Sequence, residues 1–520
     1  MSPVTKVVSL SIILLSFGFS FLRDGIYSGS GDGTYDTLKR SGIEFAVSDT
    51  LLAVALCQEA LDSFSATGFT ELKGITTFRG GPYRDRASVG QLEKRPDSMV
   101  VKWAVKTKPA GSWGGGAGWT GQPVVIQWPD SILNQMNVKD EFKTQDSFAE
   151  VIVGSLDGHI YFLDLATGLF SRNAIDIKNP IKGSVAIDPR GLPILYAGQG
   201  INVERKFGFR IFSLLDQTLL HFINGRDTFA YRSWAAFDGA ALINPKNDRM
   251  YLGGENGLVY TVKLNTRLDS ATRRLTVAPQ ELKYRYKINA DHQQGIENSV
   301  AAFQDKLYFA DNHGYIQCLS LTTMKPLWVL QNYDDTDATL VIKPECGVPF
   351  LYTGNEVDKQ GKKGFSYLKK INGNTGETVW ERKFACLTVL GEHPVNGGML
   401  STPVIGKMKG SNQVIFSLSR YNGLNKGLLV ALDQMTGATL YEVALDNYAW
   451  SSPLDIYDKD GNLYIFLADS NGTVMLFDGE NGSLIYKLKV ADLFEASPVA
   501  FNNLIVIPSR PNKIFCLEIK

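Results

Sequence analysis

From about residue 97 onward the chain repeats one design. A short run of alternating apolar and polar residues leads into a tight turn, and a second such run follows. EVIVGSLDGHIYFLDLATG starts at Glu150, RMYLGGENGLVYTVKL at Arg249, KLYFADNHGYIQCLSL at Lys306 and LYIFLADSNGTVMLFDGENG at Leu463. Alternation marks strands whose two faces meet different surroundings. Gly158, Gly257, Gly314 and Gly472 stand where a hairpin needs a left-handed residue. Upstream of each hairpin lies another short strand opened by small residues. There are eight: WTGQP at Trp119, IKGSV at Ile181, FDGAA at Phe237, IENSV at Ile296, TDATL at Thr336, MLSTP at Met399, AWSSP at Ala449 and FEASP at Phe494. They recur at roughly 40 to 60 residues, the period of a four-stranded propeller blade. A sheet that small cannot bury both faces alone, whereas blades set around an axis bury them against one another. The sequence therefore predicts an all-β fold, an eight-bladed β-propeller of four-stranded antiparallel blades. The last copy reaches Lys520 with no room for a fourth strand. Met99 to Lys106 (MVVKWAVK) is a strand without a hairpin, and it is expected to complete that blade. Closure by both chain ends removes a loose edge.

Composition narrows the partners. The 53 basic and 53 acidic residues cancel, which removes the electrostatic case for nucleic acid or an anionic membrane surface. Cys57, Cys318, Cys346, Cys386 and Cys516 are far apart in sequence. No thiol zinc motif, c-type haem attachment or dense disulfide scaffold follows from them, and they read as buried thiols.

Residues 1–22 carry an apolar run, VVSLSIILLSFGFSFL, behind Lys6. It is shorter than the roughly 20 residues of a comfortable span and fits a signal peptide or membrane anchor. The expectation is a secreted or envelope-anchored protein, touching membrane only there. Residues 23–74 read as a linker rich in Gly, Ser and Asp followed by a short helix in SDTLLAVALCQEALDSF, capped by Ser48 or Asp49. Residues 75–520 form the propeller.

The repeats resemble those of the eight-bladed propellers with pyrroloquinoline-quinone-type repeats. That family's unit runs A-x-D-x-x-T-G-x-x-x-W, its Trp docking between blades. KINGNTGETVW supplies Thr375, Gly376 and Trp380, and CLSLTTMKPLW supplies Thr323 and Trp328 with Met324 replacing the glycine. FLDLATGLFSR keeps Asp164, Thr167 and Gly168 but ends in Arg172. ALDQMTGATLY and LFDGENGSLIY end in Tyr441 and Tyr486. Trp103 takes the same role on the closing strand, and His221 occupies the docking position of its repeat. Phe78, Arg79 and Gly80 match the family's lead-in to its first blade. The resemblance implies the fold; the family's functions range from quinoprotein dehydrogenases to envelope scaffolds. Its dehydrogenases typically carry an adjacent cysteine pair beside the cofactor, which is missing here, as is the haem motif of some members. No cofactor is expected, with pyrroloquinoline quinone and calcium left open.

The opening residue of each inner strand should face the channel mouth. Two positions before each Ser/Thr-like residue stand Thr120, Lys182, Asp238, Glu297, Asp337, Leu400, Trp450 and Glu495, with Trp119, Asn298 and Asp335 beside them. Converging carboxylates raise one another's proton affinity or recruit a cation. The ligand-binding candidates are Trp119, Lys182, Asp238, Glu297, Asp337, Trp450 and Glu495. Asp458, Asp460 and Asn462 mimic half a calcium loop but read as a hairpin turn. The five histidines lack metal-ligand spacing. The segment from Lys108 to Trp119, with Trp113 and Trp119 around a glycine run, reads as a turn entering the ring. The functional expectation is a monomeric, non-catalytic module binding a protein or envelope polymer. The alternative is an oxidoreductase or polysaccharide-acting enzyme that uses the acids of the mouth with a bound cation.

Overall fold

The computed structural model describes Leu38 and residues 41–58, 63–110, 115–118, 121–201, 206–391 and 395–520, with backbone alone at 57 and 58. The apolar run of residues 7–22, Trp113, Trp119, Thr120 and His393 lie outside the described residues. Among the described residues no helix is long and apolar enough to cross a membrane.

Eight antiparallel sheets built on four-strand units follow one another along the chain. Blade 1 is Val124–Gln127, Glu150–Gly154, His159–Asp164 and Ile175–Asp176, and blade 7 is Leu454–Tyr457, Leu463–Ala468, Thr473–Asp478 and Leu484–Lys489. Blade 8 takes Val499–Phe501, Leu504–Ser509 and Lys513–Ile519 from the C-terminus and Met99–Lys106 as its outer strand, paired from Lys513↔Lys106 to Ile519↔Met99. The N-terminal strand thus closes the ring as expected.

The Ser/Thr-like residues that open the inner strands hold neighbouring blades together. Backbone N–H groups of Gln122, Ala240, Ser299, Thr339, Thr402 and Ser452 donate to the hydroxyls of Ser184, Ser299, Thr339, Thr402, Ser452 and Ser497, each on the following blade, at 2.8–3.3 Å. The Ser497 N–H returns to the Gly121 carbonyl at 2.9 Å. A short hydroxyl side chain spans that gap at six boundaries, which accounts for the repeated signature.

Farther out, aromatic rings key one blade to the next. Trp328 stacks on Gly376, Trp380 on Gly437 and Trp103 on Gly168, where an added Cβ would lie 2.7–2.8 Å from the ring. Their indole N–H groups donate to the carbonyls of Gly373, Gln434 and Leu165 at 2.8–3.0 Å. Each glycine has positive φ, so the turn needs glycine for both conformation and space. Tyr441 does the same over Gly482 and donates to the Gly479 carbonyl at 3.2 Å. Tyr486 has no such turn to dock on, because chain ends replace it in blade 8; it packs beside the core of blades 7 and 8. Arg172 substitutes chemically for the indole. Fully buried, it donates to the Leu214 carbonyl at 2.9 Å and pairs with buried Glu150 at 2.5 Å. His221 pairs across the next boundary, between blades 2 and 3, with Glu281 at 2.8 Å. Trp328→Ala, at 0% exposure, should cost about 3–5 kcal/mol of stability, read as a lowered urea midpoint at unchanged slope.

Two features were not expected. Ile43–Val47 is a strand that adds to the outer edge of blade 3, Ile43↔Ile288 through Val47↔Tyr284. The following helix α1 (Thr50–Gln58) is capped by Asp49, whose carboxylate accepts the Leu52 N–H at 2.9 Å, and buries Ala53 and Leu56 against the same blade. The lead-in of residues 76–87 crosses the hub. Carbonyls of Thr76, Pro82, Tyr83 and Ala87 accept N–H groups of Ile187, Ala302, Ile342 and Ala500 on the inner strands of blades 2, 4, 5 and 8. Arg79 donates to carbonyls of Thr402, Pro403 and Pro453 on blades 6 and 7. This segment stops the channel, so the mouth is a closed pit.

Candidate functional site

In an antiparallel meander the inner strand starts, and the second strand ends, at one face. Carboxylates placed at either point of adjacent blades converge. Asp238 precedes the inner strand of blade 3 (Leu242–Asn244), and Glu255 sits in the hairpin between Arg249–Gly253 and Leu258–Lys263 of that blade. Glu297 precedes the inner strand of blade 4 (Ala301–Phe303); Asp335 and Asp337 precede that of blade 5 (Val341–Glu345). Glu356 follows the second strand of blade 5 (Val348–Thr353). Ligand oxygens of Asp238, Glu255 and Glu297 lie within 4.8 Å of one another, as do those of Asp335, Asp337 and Glu356.

Asp238, Glu297, Asp337, Leu400 and Trp450 line a cavity of about 10 Å³, with Phe78 of the hub-crossing segment also in its wall. Lys182 forms an ion pair with the Asp238 carboxylate. Glu495 does not contribute a free charge: Arg510, from the hairpin of its own blade, holds both its oxygens at 2.7 and 3.0 Å. Asp458 is occupied with its own turn, accepting the N–H groups of Asp460 and Asn462 at 3.0 and 2.9 Å.

The electrostatics are those of carboxylates short of cations. Arg232 approaches Glu255 at 4.0 Å and donates to its backbone carbonyl at 2.9 Å. With Lys182, and with Lys359 acting on Asp335, that sets three cations against six carboxylates among the described residues. Burial, then the nearby Asp337 charge, pushes Glu297 up to about 8 despite Lys182. Burial, then Glu297 and Asp238, holds Glu255 well above the carboxylate range. Asp335 and Glu356 are raised well above it by burial and by Asp337. Asp337 is raised by burial, against the hydrogen bond it shares with Glu356. Burial works against the Lys182 charge, but Asp238, Glu255 and Glu297 outweigh it and raise its pKa. Among the described residues, Glu255 Oε1, Asp335 Oδ1, Glu356 Oε1 and the Trp450 indole N–H have no hydrogen-bond partner.

Glu255 and Glu356 did not emerge from the inner-strand alignment. The signal for them was present: GGENG and TGNEV place an acid just past the end of a second strand, a position aligned on the same face.

No protein-family model and no curated protein sequence matches the chain. Among solved structures, the quinohemoprotein alcohol dehydrogenase of Comamonas testosteroni is similar with a TM-score of 0.58 at 11% identity, over 90% of this chain and 84% of that one. The quinohemoprotein alcohol dehydrogenase ADHIIG of Pseudomonas putida HK5 gives 0.57 at 12% identity, over 91% and 82%. BamB of Moraxella catarrhalis gives 0.48 at 14% identity, over 81% and 98%. At such identities the likeness is one of fold.

Proposed function

We propose that this chain is a non-catalytic propeller of the pyrroloquinoline-quinone-like type. In this reading it is exported or held at the envelope by its N-terminal apolar run, binds a protein or envelope polymer, and uses the carboxylates of its mouth as a cation site. The observation that carries the reading is the pair of buried acid triads, several of whose oxygens lack a hydrogen-bond partner among the described residues. A buried carboxylate without a counter-charge is expensive and takes up a proton or a cation. Calcium suits the donor set, which is all oxygen and numerous enough with water to approach the six to eight ligands it takes. Asp238, Glu255 and Glu297, or Asp335, Asp337 and Glu356, would hold it.

A quinone fits poorly. Pyrroloquinoline quinone is a tricarboxylate, and this mouth already holds six carboxylates against three cations among the described residues. The cavity that Asp238, Glu297 and Asp337 line measures about 10 Å³ among the described residues, room for about one water molecule or ion. The same limit weighs against a sugar ring between two catalytic acids. The alternative enzyme reading therefore has no observation of its own in its favour.

Calorimetric titration of the full chain with calcium near neutral pH tests the proposal. Saturable binding, a higher melting temperature and proton release are expected, all weakened by Glu356→Gln. Absence of heat and of any thermal shift at millimolar calcium would overturn the cation site. A stoichiometric visible chromophore after incubation with pyrroloquinoline quinone and calcium would overturn the non-catalytic reading.

A further inference from the structure

The face that carries the acids also carries the exposed aromatic rings. Five large aromatics are exposed among the described residues: Phe170, Tyr231, Trp234, Tyr333 and Phe365. Tyr231 and Trp234 lie on the connection that leads into Asp238, and Tyr333 lies on the one that leads into Asp335 and Asp337. Phe365 starts the third strand of blade 5 (Lys363–Asn372), just past the hairpin after Glu356. By the antiparallel order of the blades all four rings belong to the mouth face. Only Phe170, between the third and fourth strands of blade 1, lies on the other.

The four flank the acids on either side. Trp234 and Tyr231 stand on the blade 2–3 boundary, and Tyr333 and Phe365 border blade 5. The intervening sector is the one holding the two triads. Tyr333 is 56% exposed and has φ of 70°, a conformation that costs energy for a bulky residue and that surrounding structure must enforce. It is enforced: the next residue, Asp334, is buried and accepts the N–H groups of Asp358 and Lys359 at 2.9–3.2 Å. Tyr333 also packs against Tyr367, the rings tilted by 34° with centroids 4.2 Å apart. The ring is thus held outward on a fixed stem.

We infer that this face docks an extended, lysine-bearing segment of a partner protein, with one lysine ammonium seated among the carboxylates and neighbouring side chains lying on the rim aromatics. The inference rests on the cation-site reading above and names what supplies the cation. Three features select the ligand. The excess of carboxylates calls for positive charge. The cavity admits an ammonium, which is compact, and not the broad planar guanidinium. Trp234 presents an exposed ring of the kind that anchors flexible cationic and apolar side chains at protein interfaces, whereas Tyr231, Tyr333 and Phe365 already carry Arg285, Lys369 and Lys383 over their rings at 4.6, 4.3 and 3.7 Å and add exposed apolar rim. Glu297, Asp335 and Lys182 keep partial exposure, so the pit opens to solvent where the rim begins.

The test measures binding of a short fluorescent lysine homopolymer to the full chain, beside its acetyl-lysine, arginine and glucosamine-oligomer counterparts. The lysine peptide should bind and be displaced by calcium. Acetylation and Glu356→Gln should each weaken it about tenfold or more, and Trp234→Ala and Tyr333→Ala about fivefold. Met435→Ala, on the opposite face, should change nothing. Equal binding of arginine, tighter binding of glucosamine oligomer, or indifference to the rim variants overturns the inference. If calcium binds and no lysine peptide does, this inference falls and the cation site stands; if neither binds, both fall.

Discussion

Near pH 8 and without added cation, the Glu297→Gln protein melts several degrees above the parent, and near pH 4.5 the two melt together. The sign follows from linkage. The folded-state pKa of Glu297 lies at about 8, above the ordinary value of 4.5. Between those values the native protein holds a proton that the unfolded chain has released. Stability therefore falls as pH rises through that window and has lost the whole contribution above pH 8. Glutamine copies the protonated form and cannot ionise, so the variant escapes the loss. The gain is on the order of a few kcal/mol, because Asp337 and Asp238 also stop meeting a third charge. The same variant should bind calcium more weakly and release fewer protons on binding. A residue that destabilises its own fold and is needed for ligand is the mark of a site. Thermal melts across the pH range, with and without calcium, check both halves. A parent as stable as the variant near pH 8 would show that the mouth is solvated and does no more than keep the hub wet.

How far the sequence led depended on whether a residue's role was local. Hairpin glycines such as Gly158 and Gly472 announce themselves because each satisfies a turn two residues wide. The hydroxyl positions Ser299, Thr339 and Thr402 were legible because the hub repeats the same contact at six of its blade boundaries. Trp328 and Trp380 were legible as docking rings because the turn they stack on recurs with them. Glu255 and Glu356 were missed although they stand on the same face, since alignment on inner strands alone samples half of the residues that face can present. Glu495 was misleading for a converse reason: its partner Arg510 lies on the following hairpin, and nothing in the inner-strand alignment shows that the charge is already answered. The IEFAV strand has no hairpin partner in sequence, so its pairing with Gln280–Ile288, 200 residues and more away, could not be read locally. The hub-crossing segment was visible only as a resemblance of Phe78, Arg79 and Gly80. Its function is conferred by carbonyls on blades far apart along the chain.

That segment supports the second large effect, loss of Arg84. Its side chain is fully buried and donates to the Val300 carbonyl at 2.8 Å, the Phe78 carbonyl at 2.8 Å, the Thr77 hydroxyl at 3.0 Å and, longer, the Ala240 carbonyl at 3.4 Å. It therefore ties blades 3 and 4 to the segment that stops the channel. Burial alone pulls its pKa down to about 9, so it is charged at neutral pH. Two effects oppose each other on replacement. Removing a dry charge relieves desolvation, but it leaves buried carbonyls from separate elements without donors, at about 1–3 kcal/mol each, around a void. The second should win, because those oxygens belong to backbone that cannot turn to water without parting the hub. Arg84→Ala should lose about 3–5 kcal/mol, read from the urea midpoint. Arg84→Lys should recover less than half, since one ammonium cannot span carbonyls that a guanidinium fork reaches together. Native-state hydrogen exchange separates this from general loosening: the Ala302 and Ile342 amides, which donate to Pro82 and Tyr83, should lose protection ahead of the outer strands. Uniform loss across all eight blades would refute the idea that this segment is the hub's fastening. Calcium affinity should fall in the same variant, because Phe78, whose carbonyl Arg84 holds, lines the pit in which the carboxylates meet.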